Sequence, residues 1–332
     1  MNRQKSPIPS SIEALSRCIT ENERFVITTH VNPDGDAISS CLVFDEILGH
    51  LGKSSMIVLD DTVPDKFQFL KGANEIHLLD VYHKPPQDSV LIVLDAADLD
   101  RIGRVSKWIS DDFIIVNIDH HPSNGYFGQI NLVQPEESST VEIVYFLLRQ
   151  FNVPLTPELA TMVYTGILCD TGRFIFPNTT RRSLEICSAM VAGGARPNDI
   201  ADKVYHQLSK STMRALASAL ATLEFHYDDR VSCIHLSNGV LASNAEADTE
   251  GFVDYLLAVG GTEVEFFMME TQPRCFRVSL RSKKYVDVNL VAAAFNGGGH
   301  KRAAGCIIEG DVDSVKRRIL NVLEDHLCVP ST

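Results

Sequence analysis

The sequence predicts an α/β protein: an N-terminal domain built on a mainly parallel β-sheet with helices on both faces, followed by a smaller C-terminal α+β domain. Short apolar runs alternate with helical periodicity through the first half of the chain, which is typical of βαβ units. After Gly193 and Gly194 the pattern changes to a helical connector and then to strands with a final helix. The 332 residues also suffice for two domains of ~100–200 residues each.

Four runs in the first half have the β-branched, apolar composition of buried strands. They are FVITT (25–29), SSMIVLD (54–60), SVLIVLDAAD (89–98) and FIIVNIDHH (113–121). Apolar residues at helical spacing predict helices over DAISSCLVFDEILGHLG, SSTVEIVYFLLRQF, PELATMVYTGILCDTG and TRRSLEICSAMVAGG.

The second half has fewer elements. Strands are predicted over 230–237, 264–270 and 275–282, and a helix over VDSVKRRILNVLEDHL. The domain boundaries that follow are 1–190 for the first domain, 191–211 for a helical linker and 212–332 for the second domain.

Composition restricts the function. The formal net charge is −13, whereas a protein that grips a long duplex usually presents a basic face. We therefore expect short anionic substrates, with positive charge concentrated locally or supplied by metal. Eight cysteines occur without a CxxC pair, which fits reduced core residues better than a disulfide framework. The chain shows no apolar run of ~18 residues and no signal peptide, so we expect a cytoplasmic protein without membrane attachment.

Acidic and imidazole side chains follow three of the predicted strands, where parallel α/β sheets bind their ligands. They are His30, Asp34 and Asp36, then Asp95, then Asp119, His120 and His121. Asp170, near the end of a predicted helix, adds a further carboxylate. A turn or helix cap would explain Asp34-Gly35-Asp36 by itself. The recurrence at equivalent strand ends is what favours a common site.

Metal ions would explain the whole set. Two carboxylates separated by one residue repel unless positive charge lies between them. Carboxylate and imidazole ligands suit Mn²⁺, Mg²⁺ or Fe²⁺ better than a thiolate-rich zinc site. Two such ions about 4 Å apart are a common clamp for displacement at phosphorus. The sequence therefore predicts a two-metal site for phosphate chemistry.

Five stretches, in order, resemble the motifs of the DHH phosphoesterase superfamily. They are THVNPDGDA (29–37), LDAAD (94–98), IDHHPSN (118–124), CDTGRF (169–174) and FNGGGHKRAAG (295–305). The last resembles the signature of the DHH-associated domain, so the resemblance spans nearly the whole chain. It implies a DHH catalytic domain, a DHH-associated substrate-binding domain and a cleft between them.

The resemblance implies two divalent ions, with Mn²⁺ preferred and Mg²⁺ or Fe²⁺ as alternatives. The ligands of the first ion would be His30, Asp34 and Asp95. Those of the second would be Asp36, Asp95, His120 and Asp170. Asp95 would then bridge the ions. The expected catalytic group is completed by His121, facing the substrate phosphate, and Asp119, orienting a histidine.

Substrate contacts are expected in the C-terminal domain. The backbone amides of a glycine-rich loop can approach a phosphate closely, for instance at the start of a helix. The expected contacts are Gly297, Gly298, Gly299 and His300, together with Arg281, Ser282 and His121. No GK[ST] follows the glycines, which excludes a P-loop.

The branch that the chain resembles is the compact, stand-alone one. Its members act on very short RNAs, on 3′-phosphoadenosine 5′-phosphate (pAp), and on cyclic di-AMP or its linear product pApA. We predict a Mn²⁺-dependent phosphohydrolase of di- to pentaribonucleotides and pAp, with short RNA as its partner and a homodimer left open. Two alternatives stay open: a soluble cyclic di-AMP phosphodiesterase, and a catalytically silent nucleotide sensor. The mark of a sensor would be a lost metal ligand, and every motif ligand is present.

Overall fold

Two six-stranded sheets organise the chain, one in each of two units, Met1–Gln207 and Leu208–Thr332. The computed structural model describes residues 8–81, 85–109, 113–244 and 247–327. The division between the units falls inside the predicted linker, 191–211. The predicted α/β fold class is confirmed.

The sheet of the first unit is parallel throughout, with strand order β3-β2-β1-β4-β5-β6. Its strands are β1 (Arg24–Thr28), β2 (Ser54–Leu59), β3 (His77–Leu78), β4 (Ser89–Leu94), β5 (Ile115–Asp119) and β6 (Ile130–Val133). Four of these are the predicted strands. The short edge strands β3 and β6 were not predicted, because four residues or fewer carry too little pattern.

Within the part of the first unit that the structure describes, there are six α-helices. They are α1 (Ile8–Glu21), α2 (Gly35–His50), α3 (Thr140–Gln150), α4 (Pro157–Asp170), α5 (Arg181–Ala192) and α6 (Pro197–Tyr205). Short 3₁₀ helices span Asp65–Phe67, Ala73–Glu75, Leu79–Val81 and Asp100–Trp108.

Alternate residues of the central strands face two different cores. Phe25 and Ile27 of β1 pack with the α-helices, whereas Val26 between them packs with Ile102 and Val105 of the 3₁₀ helix Asp100–Trp108. Burial on both faces explains why these strands are apolar at every position instead of alternating. One face is therefore covered by α-helices and the other largely by this 3₁₀ segment.

The second unit is a mixed sheet with strand order β11-β12-β10-β9-β8-β7. The strands are β7 (Glu224–His226), β8 (Val231–Leu236), β9 (Val264–Gln272), β10 (Cys275–Ser282), β11 (Gly298–His300) and β12 (Ala303–Glu309). The helices are α7 (Lys210–Leu220), α8 (Asn238–Ala242), α9 (Val288–Ala293) and α10 (Val312–His326), with a 3₁₀ helix at Phe252–Ala258. Among these described strands, β8 and β9 pair in parallel and the other neighbours are antiparallel.

The helix start considered for the glycine-rich loop is wrong. Gly298 and Gly299 lie in β11, where they pair with Gly305 and Ala304 of β12. Glycine is required at position 299 because a Cβ there would lie 2.5 Å from the carbonyl oxygen of Ala303.

Within the described residues, no helix combines the length and apolar character needed to span a membrane.

Candidate metal and phosphate site

The site lies where the strand order of the first sheet reverses, between β1 and β4. Connections leave in opposite directions at such a point and open a crevice at the carboxyl ends of the strands. His30 follows β1 by two residues, Asp95 directly follows β4, and His120 directly follows β5. The parallel register therefore delivers three of the predicted residues to one edge.

Asp95 is the centre of the cluster. Its carboxylate lies 3.5 Å from His30 Nε2, 3.7 Å from His121 Nδ1 and 3.8 Å from His120 Nε2, and accepts a hydrogen bond of 2.9 Å from Thr140 Oγ1. Its backbone is left-handed, with φ 56°, and β4 ends directly before it at Leu94, whereas the predicted strand ran to residue 98. A strained residue of this kind is typical of functional sites.

A glycine between Asp34 and Asp36 allows two helices to meet. Asp34 caps α2, accepting hydrogen bonds from the amides of Asp36 and Ala37 at 2.9 and 3.0 Å. A Cβ at Gly35 would lie 2.4 Å from the Sγ of Cys169, on the last turn of α4. The absence of a side chain therefore lets the start of α2 approach the end of α4, which carries Asp170.

The buried carboxylate of Asp36 completes the N-terminus of another helix. It accepts hydrogen bonds from the amides of Thr140 and Val141 at 2.7 and 2.9 Å, at the start of α3. These are two of the amides that a helix leaves unpaired, and the helix dipole favours the negative charge. A Cβ at Gly166 would lie 3.1 Å from Asp36 Oδ1, so that glycine also makes room for the carboxylate.

The two histidines after β5 are held by different partners. His120 Nδ1 is 3.2 Å from the carbonyl oxygen of Glu137, and its Nε2 is 3.3 Å from Asp170 Oδ2. His121 Nδ1 is 2.7 Å from Asp119 Oδ1. The other oxygen of Asp119 accepts a hydrogen bond of 2.6 Å from Asn124 Nδ2. His120 therefore faces the carboxylate cluster, while Asp119 orients His121.

The cluster carries an excess of negative charge. Burial, followed by the charges of neighbouring carboxylates with Asp95 foremost, raises the pKa values of Asp36 and Asp170 well above their usual range. Burial acts to raise the pKa of Asp95 too, but His30, His121 and His120 bring it below its usual value. Among the described residues, none of Asp34, Asp36, Asp95 and Asp170 forms an ion pair with lysine or arginine.

Divalent cations fit this set of donors. One ligand atom from each of His30, Asp34 and Asp95 lies within 4.8 Å of the others, and the same holds for Asp36, His120 and Asp170. Oxygen and imidazole donors, with no thiolate, suit a hard or borderline divalent ion. Buried like charges without a counter-charge are costly, and a cation would remove that cost. These two triplets could therefore each hold one ion.

The predicted contacts of the second unit lie on neighbouring strands. Arg281 of β10 and His300 of β11 both pair with Ala303 of β12, so they flank it in one row of the sheet. The row spans two strand spacings, about 9.6 Å. Arg281 Nε is 2.8 Å from Asp254 Oδ1, and the buried Ser282 hydroxyl donates to the carbonyl oxygen of Val286 at 2.7 Å.

Sequence reasoning missed two residues of the site. Thr140 contacts both Asp36, through its amide, and Asp95, through its hydroxyl. Asn124 supports Asp119. Thr140 stands in a Ser-Ser-Thr run before an apolar helix, which signals only a helix start. Its partners are 45 and 104 residues away in the chain, so no local pattern indicates them.

Models of two known domains and several known proteins match the chain. Residues 24–167 match the model of the DHH family, N-terminal domain, and residues 239–327 match the DHHA1 domain. The chain is 34% identical to the bifunctional oligoribonuclease and PAP phosphatase NrnA of Thermus thermophilus, covering 91% of this chain and 89% of that protein. It is 26% identical to the Bacillus subtilis protein of the same name, over 94% and 98% of the two chains.

A solved structure is similar over nearly its full length. An exopolyphosphatase-related protein from Bacteroides fragilis superposes with a TM-score of 0.86 at 28% identity, covering 97% of this chain and 98% of that one.

Proposed function

Because the chain belongs to the DHH family, we propose that it is a two-metal phosphohydrolase that cleaves short oligoribonucleotides, including pApA, and also dephosphorylates pAp. The observation that carries this proposal is the group of carboxylates and histidines around Asp95, which lacks lysine and arginine ion pairs among the described residues. The substrates are suggested by the relatives, which are named for oligoribonuclease and PAP phosphatase activity.

Two divalent cations, with Mn²⁺ preferred, would be bound at the carboxyl ends of β1, β4 and β5. His30, Asp34 and Asp95 would hold one, while Asp36, Asp95, His120 and Asp170 would hold the other. The ions would stabilise negative charge on phosphoryl oxygens and make water acidic enough to act as the nucleophile. Asp95 is the shared ligand in this assignment because it contacts histidines of both groups.

His121 would bind the reacting phosphate. Burial acts to lower the pKa of His121, but the charge of Asp119 and the hydrogen bond to it raise that pKa above its usual value. A protonated imidazole is a strong donor to a phosphoryl oxygen. Because Asp119 engages Nδ1, we assign Nε2 as the donor to substrate. In this role the Asp119 carboxylate keeps the ring oriented and its proton in position.

In the second unit, Arg281 and His300 would bind phosphate groups of the nucleotide outside the reacting centre. Both are phosphate-binding side-chain types, and they occupy one row of the sheet. The glycines at 297–299 would let backbone amides approach the ligand. The role of Ser282 and the cleft between the domains stay predictions. The homodimer also stays a prediction, and light scattering would test it.

A panel of substrates tests the proposal. Purified protein with Mn²⁺ would receive pApA, a five-nucleotide RNA, pAp, cyclic di-AMP and pyrophosphate. We expect turnover of pApA, the short RNA and pAp. Hydrolysis of pyrophosphate alone would overturn the proposal, and cyclic di-AMP cleavage at a rate equal to that of pApA would favour the cyclic-dinucleotide alternative. Tight nucleotide binding without turnover would indicate a sensor.

The metal is tested in the same assay. The protein is stripped with a chelator and then reloaded with Mn²⁺, Mg²⁺ or Fe²⁺. We expect no activity in the stripped protein and the highest activity with Mn²⁺. The variant Asp95→Asn, purified in parallel, is the control for contaminating nucleases, because it should remain inactive with every ion.

A further inference from the structure

Arg101 lies in the 3₁₀ helix Asp100–Trp108, close in the structure to the chain that follows β1. Several hydrogen bonds hold the main chain of this segment in place. The carbonyl oxygen of Arg101 accepts a hydrogen bond of 2.8 Å from the amide of Val31, the residue after His30. The Arg101 amide donates to Asp98 Oδ1 at 3.0 Å. Residue 101 is thus hydrogen-bonded through its carbonyl oxygen to the chain after β1, and through its amide to Asp98 in its own loop.

Gly103 and Arg104 make further close contacts with the ends of β1 and β2. Gly103 has φ 60°, and a Cβ there would lie 2.6 Å from Val31 Cγ1 and 2.3 Å from Asp60 Oδ2. The amide of Arg104 donates to Asp60 Oδ2 at 2.7 Å. The absence of a side chain at Gly103 therefore allows the 3₁₀ helix to pack closely against the end of β1. These contacts restrict the main chain near Arg101.

Two arginines on this segment have different surroundings. The guanidinium of Arg104 pairs with Asp60 and Asp80, at 2.6 and 2.7 Å. The exposed guanidinium of Arg101 makes no ion pair or hydrogen bond with any residue that the structure describes, although the chain carries 13 more acidic than basic groups. The carbonyl oxygen of Arg101 is hydrogen-bonded to the amide of the residue after His30, so the Arg101 side chain starts beside a predicted metal ligand.

We propose that Arg101 is a substrate-binding residue, whose guanidinium contacts a non-reacting phosphate of the nucleotide at the rim of the metal cluster; this inference rests on the proposed function. A guanidinium binds phosphate oxygens through two parallel hydrogen bonds. Among the described residues, Arg101 forms no ion pair with the carboxylates of the cluster, so its charge stays available to a ligand. A rigid main chain reduces the entropy lost when the side chain binds.

The experiment compares Arg101→Gln with a matched control, Arg24→Gln. Arg24 is exposed and lies at the opposite end of β1, so its replacement changes the net charge equally without touching the site. Steady-state kinetics are measured on pAp, pApA and 4-nitrophenyl phosphate, which has only the reacting phosphate.

For Arg101→Gln we expect KM for pAp and pApA to rise at least about tenfold, because charge-assisted hydrogen bonds to the phosphate are lost, with kcat within about twofold of the parent. KM for 4-nitrophenyl phosphate should not change. Arg101→Lys should recover part of the loss, because it restores the charge without the bidentate geometry. The thermal midpoint should be unchanged, since the main-chain hydrogen bonds of residue 101 remain.

Equal KM values for Arg101→Gln and Arg24→Gln would overturn the inference. So would an equal loss on all three substrates, which would mean that Arg101 acts on the reacting centre. If the parent protein cleaves no nucleotide, the proposed function fails, and calorimetric titration with pAp then decides about Arg101 separately. A Kd about tenfold weaker in Arg101→Gln supports the phosphate contact, whereas an unchanged Kd, or no binding by the parent, contradicts it.

Discussion

Two clusters of potential metal ligands, one in each unit, differ in how their charge is balanced. In the first unit, carboxylates and histidines surround Asp95, and no lysine or arginine pairs with them among the described residues. In the second unit, Glu224, His226 and Cys233 also lie within 4.8 Å of one another. There, however, Lys316 Nζ is 2.9 Å from both oxygens of Glu224.

The thiol of the second cluster is also unfavourable for metal binding. Burial, followed by the charge of Glu224, raises the pKa of Cys233 to about 12, so the protonated form dominates at neutral pH. A thiolate is the form that binds a metal. Proximity of ligand types is therefore common to both clusters, and the unbalanced negative charge distinguishes the one around Asp95. If that difference governs metal binding, matched changes at the two clusters should have different effects.

Replacing Asp95 or His120 with Ala should abolish hydrolysis of pApA, a loss of at least about 10³-fold in kcat/KM, without unfolding the protein. Asp95 is the acceptor common to three histidines, so its loss disconnects both groups of ligands. Circular dichroism checks that each variant is folded, and a coupled assay measures the rate of pApA hydrolysis. The matched change in the other cluster, Glu224→Gln, should keep full activity; an active Asp95→Ala would disprove the shared role.

Adding Mn²⁺ to metal-stripped protein should raise the thermal midpoint. Saturation at a hundredfold excess over Kd corresponds to about 2.7 kcal/mol, because the ion binds the folded state. Asp170→Asn should lose most of this gain, while Cys233→Ser should retain it. Differential scanning fluorimetry with and without chelator measures both. A gain lost equally in the two variants would mean that the second cluster also binds the ion.

Without metal, the unfolding free energy should fall as pH rises from about 4 towards 7. The pKa values of Asp36 and Asp170 are raised in the folded state, so the folded protein binds more protons than the unfolded chain over this range. The slope is at most about 1.4 kcal/mol per pH unit for each proton. Urea unfolding at several pH values measures it.

The second cluster should respond at alkaline pH instead. Burial acts to lower the pKa of Lys316, but Glu224 and Asp313 raise it above its usual value, so its contribution is lost as pH rises through that raised pKa. Asp170→Asn should flatten the acid slope, and Lys316→Gln should leave it unchanged. An acid slope that survives Asp170→Asn unaltered would contradict the account of charge at the first cluster.

Thr140→Val should weaken Mn²⁺ binding about tenfold, because removing a hydrogen bond that orients a ligand has an effect of this size. The unfolding free energy should fall by about 1 kcal/mol, since the buried Asp95 carboxylate loses a donor. Titration calorimetry measures the affinity. Thr212→Val, a buried threonine hydroxyl in the second unit, should cost similar stability and leave Mn²⁺ affinity intact.

Sequence patterns alone predict the central strands of the first sheet and the edge at which the site lies. Apolar runs identified β1, β2, β4 and β5 because burial on both faces leaves a continuous pattern. Acidic and imidazole residues follow β1, β4 and β5 in the sequence. Because parallel strands end at one edge of the sheet, these residues are expected at that edge. The helix cap at Asp34 was also readable from Asp-Gly-Asp, because that contact is made within three residues.

Which charged and polar groups compensate one another depends on contacts between distant segments. Asp36 reaches the start of α3, Thr140 reaches Asp95, and Lys316 neutralises Glu224, across 104, 45 and 92 residues of chain. Such pairings leave no periodicity in the sequence. The same holds for Gly299 in β11, which depends on the backbone of β12. It also holds for Arg101, which has no acidic partner among the described residues, whereas Arg104 three residues later has two. Local patterns show what each segment can form, while the balance of buried charge depends on which distant segments meet.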